Sequence, residues 1–160
     1  MVRYLVVVAL ALACAASAVA ERDGKTAVDI ERYFAELVRP DSPNHWLVAP
    51  AGFSVRPDAV SPVFAVPADR LRDAFKEAVL AMPGVAVAGE GAAGLHLVAT
   101  TRMLRFRDDI RVQFIVLGPQ QSTLALYSAS RTGYWDFGTN RRRVEDWLAR
   151  TAAVLGARRP

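Results

Sequence analysis

The sequence predicts an α+β fold: a two-layer sandwich in which a four-stranded antiparallel meander sheet carries two helices on one face and follows a Pro-rich arm. Three observations predict it. Apolar and polar residues alternate between positions 85 and 131, short segments join the alternating runs, and helical periodicity flanks them on both sides. With 160 residues, 52% of them hydrophobic, the chain can form one domain with a buried core. No heptad pattern or repeat is visible, which excludes coiled coils and solenoids.

Residues 1–20 have the layout of a secretory signal peptide. Arg3 precedes an apolar run from Leu5, and small residues end the segment at Ala20. Since this run is shorter than the ~20 residues of a membrane-spanning helix, we expect cleavage after Ala20 and export to the periplasm. Two alternatives place the protein on the membrane: the segment is retained as an anchor, or Cys14, the only cysteine, is lipidated.

The region 21–66 predicts a helix followed by an arm. Thr26 and Asp29 resemble a capping box, and apolar residues then recur at helical spacing, which predicts a helix over about 27–38. Six prolines between positions 39 and 67 disfavour both helix and central strand. We therefore expect an extended arm, packed on the domain through apolar residues such as Trp46 and Phe64.

The region 67–157 predicts the α+β domain itself. Pro67 suits a first helical position, and a helix follows until Pro83. Strands are predicted over residues 85–88, 95–106, 110–117 and 122–131, with turns at 89–94, 107–109 and 118–121. A second amphipathic helix begins at Thr139 or Asn140.

Several familiar patterns lack the context that their chemistry needs. The pattern G-x-G-x-x-G at 89–94 is followed by a strand instead of a helix, so we interpret it as a flexible hairpin and not as a nucleotide site. His45 and His96, the only histidines, lack the spacing of a metal site. Ser128 and Ser130 have no nucleophile elbow or neighbouring base. We expect no cofactor and no metal, and we identify no catalytic residue.

The segment 128–143 is the most informative. Arginines at 141–143 lie at the positive end of the last helix, where an anion must compensate them. The anion is either internal, from Asp136, Asp108, Asp109 or Glu145, or a bound ligand. We expect the aromatic residues of this loop to plug the end of the sheet; exposure of Trp135 beside Arg131 would instead favour a binding surface.

These observations predict one binding surface near the last helix. Its residues are Asp108, Asp109, Arg131, Trp135, Asp136, Asn140 and Arg142. The leading hypothesis is a non-enzymatic module that binds an anionic small molecule or an envelope protein. An enzyme with Asp108 or Asp109 as general base and Arg131 as anion anchor, or a purely structural envelope protein, remain alternatives. Nucleic acid is not expected, because acidic residues interrupt the arginines and export removes the protein from it.

Residues spread over the chain resemble one protein family, the domain of unknown function numbered 1499. The likeness spans about residues 28–150 and is carried by Arg39-Pro40-Asp41-Ser42-Pro43-Asn44, Met82-Pro83, Arg105-Phe106-Arg107-Asp108-Asp109, and the run from Ser128 to Arg143. The resemblance implies an exported or membrane-tethered bacterial protein and supplies no catalytic residue. Many members have a cysteine where His45 follows Asn44 here, so no thiol role is transferred.

Overall fold

The computed structural model describes residues 26–101 and 105–157. The predicted signal peptide, with Cys14, lies outside these ranges, as do positions 102–104 of the second predicted strand. The described residues confirm the α+β class with seven strands and three helices. The strands are β1 (Thr26–Ala27), β2 (His45–Ala49), β3 (Ala59–Val60), β4 (Val85–Glu90), β5 (Gly94–Thr100), β6 (Arg107–Gly118) and β7 (Gln121–Ser130). The helices are α1 (Ile30–Ala35), α2 (Ala68–Leu80) and α3 (Thr139–Ala157). Across this part of the chain, no helix is both long and apolar enough to cross a membrane.

All seven strands form one mixed sheet, in the order β1-β4-β5-β6-β7-β2-β3. Strands β4 to β7 make an antiparallel meander, whereas β1 lies parallel to β4 and β3 parallel to β2. The predicted four-stranded sheet was therefore too small. Residues 44–49, between Pro43 and Pro50, are free of proline and keep every backbone donor. This part of the arm can consequently pair with β7 as strand β2.

Helices cover both faces of the sheet, so the predicted two-layer arrangement was incomplete. Helices α2 and α3 bury Phe75 and Trp147 against one face. Helix α1 buries Phe34 against the other. Neighbouring residues of β2 alternate between these clusters, Val48 in the first and Leu47 in the second, which places the clusters on opposite faces.

Helix α1 is shorter than predicted and begins at a different cap. The Asp29 carboxylate accepts a hydrogen bond from the backbone N–H of Arg32 at 3.0 Å. Thr26, the predicted cap, is instead the first residue of β1 and pairs with Gly89. Because the backbones of Thr26 and Ala27 pair with β4, the helix cannot begin at these residues.

Residues 107–109, predicted as a turn, belong to strand β6. Asp108 pairs with Ser130 and Asp109 with Ala129 in the β6–β7 ladder. The chain reverses earlier, in the β5–β6 loop, where the Thr101 N–H donates to the Phe106 carbonyl oxygen at 2.9 Å. Because successive side chains of a strand point to opposite faces, this correction separates the two aspartates.

The predicted flexible hairpin at 89–94 is a place of close packing. A Cβ atom on Gly94 would lie 2.0 Å from the carbonyl oxygen of Val112 and 2.8 Å from the Ile30 side chain. A Cβ on Gly91 would lie 1.9 Å from the carbonyl oxygen of Val28. The glycines allow the chain around α1 to approach the sheet.

Candidate binding surface at one end of the sheet

Three segments meet at the end of the sheet where β6 begins: the β5–β6 loop, the β7–α3 loop and the residues before β2. The Arg131 N–H donates to the Arg107 carbonyl oxygen at 3.3 Å, and the Ser130 N–H donates to the Asn44 carbonyl oxygen at 3.0 Å. The Asn44 side-chain amide donates to the carbonyl oxygen of Gly133. These bonds hold the three segments side by side.

Asn140 is the buried connector of this region, with 0% of its surface exposed. Its Oδ1 accepts hydrogen bonds from Ser128 Oγ at 2.6 Å and from Arg143 Nη1 at 2.8 Å. Its Nδ2 lies 2.8 Å from the carbonyl oxygen of Asn44 and 2.7 Å from Asp136 Oδ2. Asn140, predicted as a ligand-binding residue, therefore joins α3 to the sheet and presents no free polar atom to a ligand.

Asp136 caps the start of α3. Its Oδ2 accepts from the Asn140 N–H at 2.8 Å and its Oδ1 from the Gly138 N–H at 2.9 Å. Burial raises the pKa of Asp136, but the hydrogen bonds from Asn140 and Gly138 outweigh that effect and lower it. The resulting carboxylate compensates the positive end of the helix.

The three arginines in the first turn of α3 have different partners. Arg143 forms an ion pair with Asp108, and Arg141 lies 2.8 Å from a Glu145 oxygen. Arg142 donates to the Phe137 carbonyl oxygen at 2.9 Å, and no carboxylate pairs with it in the described ranges. Internal acids thus neutralise two of the three guanidinium groups.

Asp108 and Asp109 belong to different environments. Asp108 is 3% exposed and lies with Arg143 on the face covered by α3. Asp109, on the opposite face, accepts from His96 Nε2 at 2.6 Å and from Arg131 Nε at 2.6 Å. Hydrogen bonding to the Asp109 carboxylate, together with its negative charge, raises the pKa of Arg131. The two carboxylates cannot act on one ligand, because the sheet separates them.

The aromatic residues of the β7–α3 loop face solvent, so the expectation that they plug the sheet was wrong. Tyr134 is 58% exposed, Trp135 67% and Phe137 86%. The space at the end of the sheet is already filled by the hydrogen-bonded side chains of Asn44 and Asn140. The aromatic side chains are left on the outside of a loop that polar bonds hold in place.

One cleft of about 380 Å³ lies beside this loop. Trp46, Trp135, Phe137 and Arg141 are among the residues that line it. The Arg141 guanidinium carbon lies 5.2 Å from the centre of the Trp46 ring, in cation–π contact. The cleft offers apolar walls together with the Arg141 guanidinium, which also pairs with Glu145, and the Asp136 carboxylate that caps α3.

The sequence profile of a described family, the proteins of unknown function DUF1499, matches residues 37–150. The chain belongs to the DUF1499 family. A search of the curated proteins found no match. Among solved structures, a START superfamily protein from Mycobacterium smegmatis is similar at 12% identity and a TM-score of 0.35, covering 61% of this chain and 92% of that one. A protein of Thermus thermophilus is similar at 13% identity and a TM-score of 0.37, covering 72% of this chain and 99% of that one. Likenesses this weak carry no argument about function.

In this DUF1499 protein the seven predicted site residues do not form one surface. Arg131 and Trp135 lie on the exposed β7–α3 loop and Arg142 is exposed in the first turn of α3, whereas Asp108 and Asn140 are buried within the fold. Asp109 lies on the face of the sheet opposite α3, and Asp136 caps the start of α3. Sequence reasoning missed Trp46, which only the pairing of β2 with β7 brings to the cleft. It also missed Phe106, which is 51% exposed at the same end.

The DUF1499 fold shows no arrangement for metal chemistry in the two ranges described. No group of three or more His, Cys, Asp or Glu residues there lies close enough to hold an ion. The His96–Asp109 pair is joined to Arg131 and not to a nucleophile. The geometry is suited to binding: exposed rings, positive side chains and a shallow cleft.

Proposed function

We propose that this DUF1499 protein is an exported, non-enzymatic binding module that recognises an anionic group carried on an apolar or aromatic body. One observation carries the proposal: Trp135 and Phe137 are 67% and 86% exposed beside arginines, on a loop that hydrogen bonds hold in place. A rigid loop presents large apolar surface to solvent at a cost, and such surfaces commonly bind a partner. The layout of residues 1–20 supports export.

The state of the carboxylates supports binding over catalysis. A general base needs an available carboxylate beside the substrate. Asp108 is buried in its ion pair with Arg143, and Asp109 is bonded to both His96 and Arg131. Neither is poised to take a proton from a ligand at the exposed loops.

The exposed rings also distinguish this proposal from a purely structural role. A structural module would need Asn140, Asp136 and the Asp108–Arg143 pair, all of which act inside the fold. It would not need Trp135 and Phe137 in solvent, because neither ring fills the core. The rings and Arg141 are therefore the groups to test.

The test uses 1-anilinonaphthalene-8-sulfonate, a probe that combines aromatic rings with an anionic sulfonate. Isothermal titration of the native protein is expected to show one site, and Trp135→Ala and Arg141→Ala are each expected to weaken binding at least tenfold (~1.4 kcal/mol). Val116→Ser is the matched control, because Val116 is 70% exposed near the opposite end of β6. Unaltered melting temperatures show that the variants are folded.

Equal affinity in the native protein, Trp135→Ala and the Val116→Ser control would contradict the proposal. So would the absence of any saturable binding to the native protein.

A further inference from the structure

The end of the sheet carries a distinctive combination of side chains, which we name the sheet-end surface. It comes from the β5–β6 loop with the start of β6 and from the β7–α3 loop with the first turn of α3. The bond between Arg131 N–H and the Arg107 carbonyl oxygen holds the two segments together. Its aromatic members are all more than half exposed. The sheet-end surface consists of Phe106, Tyr134, Trp135 and Phe137 with Arg105, Arg107, Arg131 and Arg142.

Three of its four arginines have no carboxylate partner in the described part of the chain, whereas Arg131 pairs with Asp109. Arg32 and Arg150 each pair with a carboxylate one helical turn away. Arg105, Arg107 and Arg142 have no carboxylate within ion-pair distance anywhere in residues 26–101 and 105–157. Positive charge is therefore left uncompensated around the exposed rings.

The backbone also keeps one ring outside the fold. Phe137 has a φ of 52°, a left-handed conformation that is rare for a bulky residue. The Arg142 guanidinium donates to the Phe137 carbonyl oxygen at 2.9 Å. A strained residue that buries nothing is typical of a functional position.

We propose that the sheet-end surface docks the domain on an anionic lipid membrane, which deepens and rests on the proposed function. Trp and Tyr rings prefer the boundary between hydrocarbon and headgroups, and guanidinium groups bind phosphate oxygens. A lipid joins an anionic headgroup to an apolar body, which is the chemistry that the surface complements. The rings project from loops instead of lining a deep groove, which suits insertion into a soft interface. This contact belongs to the folded domain and is additional to any anchor in residues 1–20.

The experiment measures the tryptophan emission of the full chain, as expressed, with lipid vesicles. Trp147 is 1% exposed and Trp46 is half-buried, so Trp135 is the main reporter, and residues 1–20 contain no tryptophan. We expect a shift to shorter wavelength with vesicles of equal parts phosphatidylglycerol and phosphatidylcholine. Pure phosphatidylcholine should give a much smaller shift. A retained anchor would tether the chain to both vesicles without producing this difference.

Charge variants test the arginines. Arg107→Glu with Arg142→Glu is expected to raise the lipid concentration at half-maximal shift about 25-fold or more, since each cation near an anionic surface contributes about fivefold. Arg105→Glu alone should raise it about fivefold or more, and it leaves the Phe137–Arg142 bond intact. Arg70→Glu, in the first turn of α2, is the control and should leave the midpoint unchanged. Trp135→Ala should abolish the spectral change.

The outcomes separate the two proposals. An unchanged emission with anionic vesicles, or an equal response of Arg105→Glu and Arg70→Glu, would overturn membrane docking. If anilinonaphthalene sulfonate still binds through Trp135 in that case, the binding module stands and its partner is a soluble ligand or protein. If both probes fail, the proposed function falls as well.

Discussion

Asp108 and Asp109 are neighbours in strand β6, yet their carboxylates lie on opposite faces of the sheet and form separate ion pairs. Asp108 bonds to Arg143 from α3, and Asp109 bonds to Arg131 from the β7–α3 loop. The two pairs also differ in exposure. The Asp108 and Arg143 side chains are 4% and 11% exposed, against 30% and 40% for Asp109 and Arg131. They should therefore contribute differently to stability.

Asp108→Ala is expected to lower the free energy of unfolding by about 3 kcal/mol, because it leaves the Arg143 charge buried without its partner. The measurement is urea denaturation. Asp146→Ala, which removes an exposed partner of Arg150, is the control and should cost less than about 1 kcal/mol. The double replacement Asp108→Leu with Arg143→Met should recover most of the loss. Equally small losses of unfolding free energy in Asp108→Ala and Asp146→Ala would show that the buried ion pair contributes no more to stability than the exposed one.

Asn140→Ala is expected to cost about 3 kcal/mol, because it leaves several buried polar partners unsatisfied at once. The partners are Ser128 Oγ, Asp136 Oδ2 and the Asn44 carbonyl oxygen. Thr139→Ala, one residue earlier, removes only a 3.5 Å contact with Arg142 and should cost less than about 1 kcal/mol. Chemical denaturation at neutral pH compares them. A loss for Asn140→Ala no greater than that of the control would mean that the network does not join α3 to the sheet.

Glu90 makes stability depend on pH. The hydrogen bond from Lys76 is the main cause of a lowered pKa at Glu90, and Arg72 adds to it. Burial opposes this effect but is outweighed, so the pKa falls from 4.5 to about 2. A lowered pKa means that the folded protein favours the charged form, so this contribution is complete above pH 4.5 and is lost as pH falls towards 2. The native protein and the Glu90→Gln variant should therefore differ less in their free energy of unfolding as pH falls from 4.5 towards 2. Thermal melts from pH 7 to pH 2 measure this difference.

The control for Glu90 is Glu31→Gln, which alters an exposed carboxyl on α1. At pH 7 this variant should lose less stability than Glu90→Gln, because no ion pair of Glu31 is present within residues 26–101 and 105–157. A pH-independent difference between the native protein and Glu90→Gln would contradict the assigned role of the Lys76 and Arg72 contacts.

Phe137→Gly and Phe137→Ala should separate strain from binding. Because residue 137 has a φ of 52°, the glycine variant is expected to be about 1 kcal/mol more stable than the alanine variant. Both remove the ring and should weaken docking on anionic vesicles to the same extent. Urea denaturation and vesicle titration provide the two measurements. Equal stability of the variants would show that the left-handed backbone carries no cost.

Local pattern predicted the elements whose neighbours in space are neighbours in sequence. Alternation located β4 to β7, and apolar spacing located α2 and α3, because each signal lies within one element. The pairing of β2 with β7 has no such local signal, so six prolines around a short apolar run concealed a strand. The same limit hid Trp46 from the predicted site.

The candidate site was predicted at the level of the segment and not of the individual side chain. The arginines at 141–143 predicted compensating anions at the start of the last helix, and Asp108 and Glu145 supply two of them. Assigning 107–109 to a turn placed Asp108 and Asp109 together, whereas the strand separates them. The sequence pattern does not show whether an aromatic side chain fills the core or faces water. In the structure Asn44 and Asn140 are buried at this end of the sheet, whereas Trp135 is exposed.

The contact between Asn44 and Asn140 spans 96 positions, and it has a consequence for how the protein is made. Long-range pairing raises contact order and slows folding, because distant parts of the chain must find each other first. Every strand of the sheet ends by Ser130, but α3 cannot dock on the sheet until residues 139–157 have been synthesised. The hydrogen bonds that join α3 to the sheet through Asn140 are consequently the last of these contacts to become possible during synthesis.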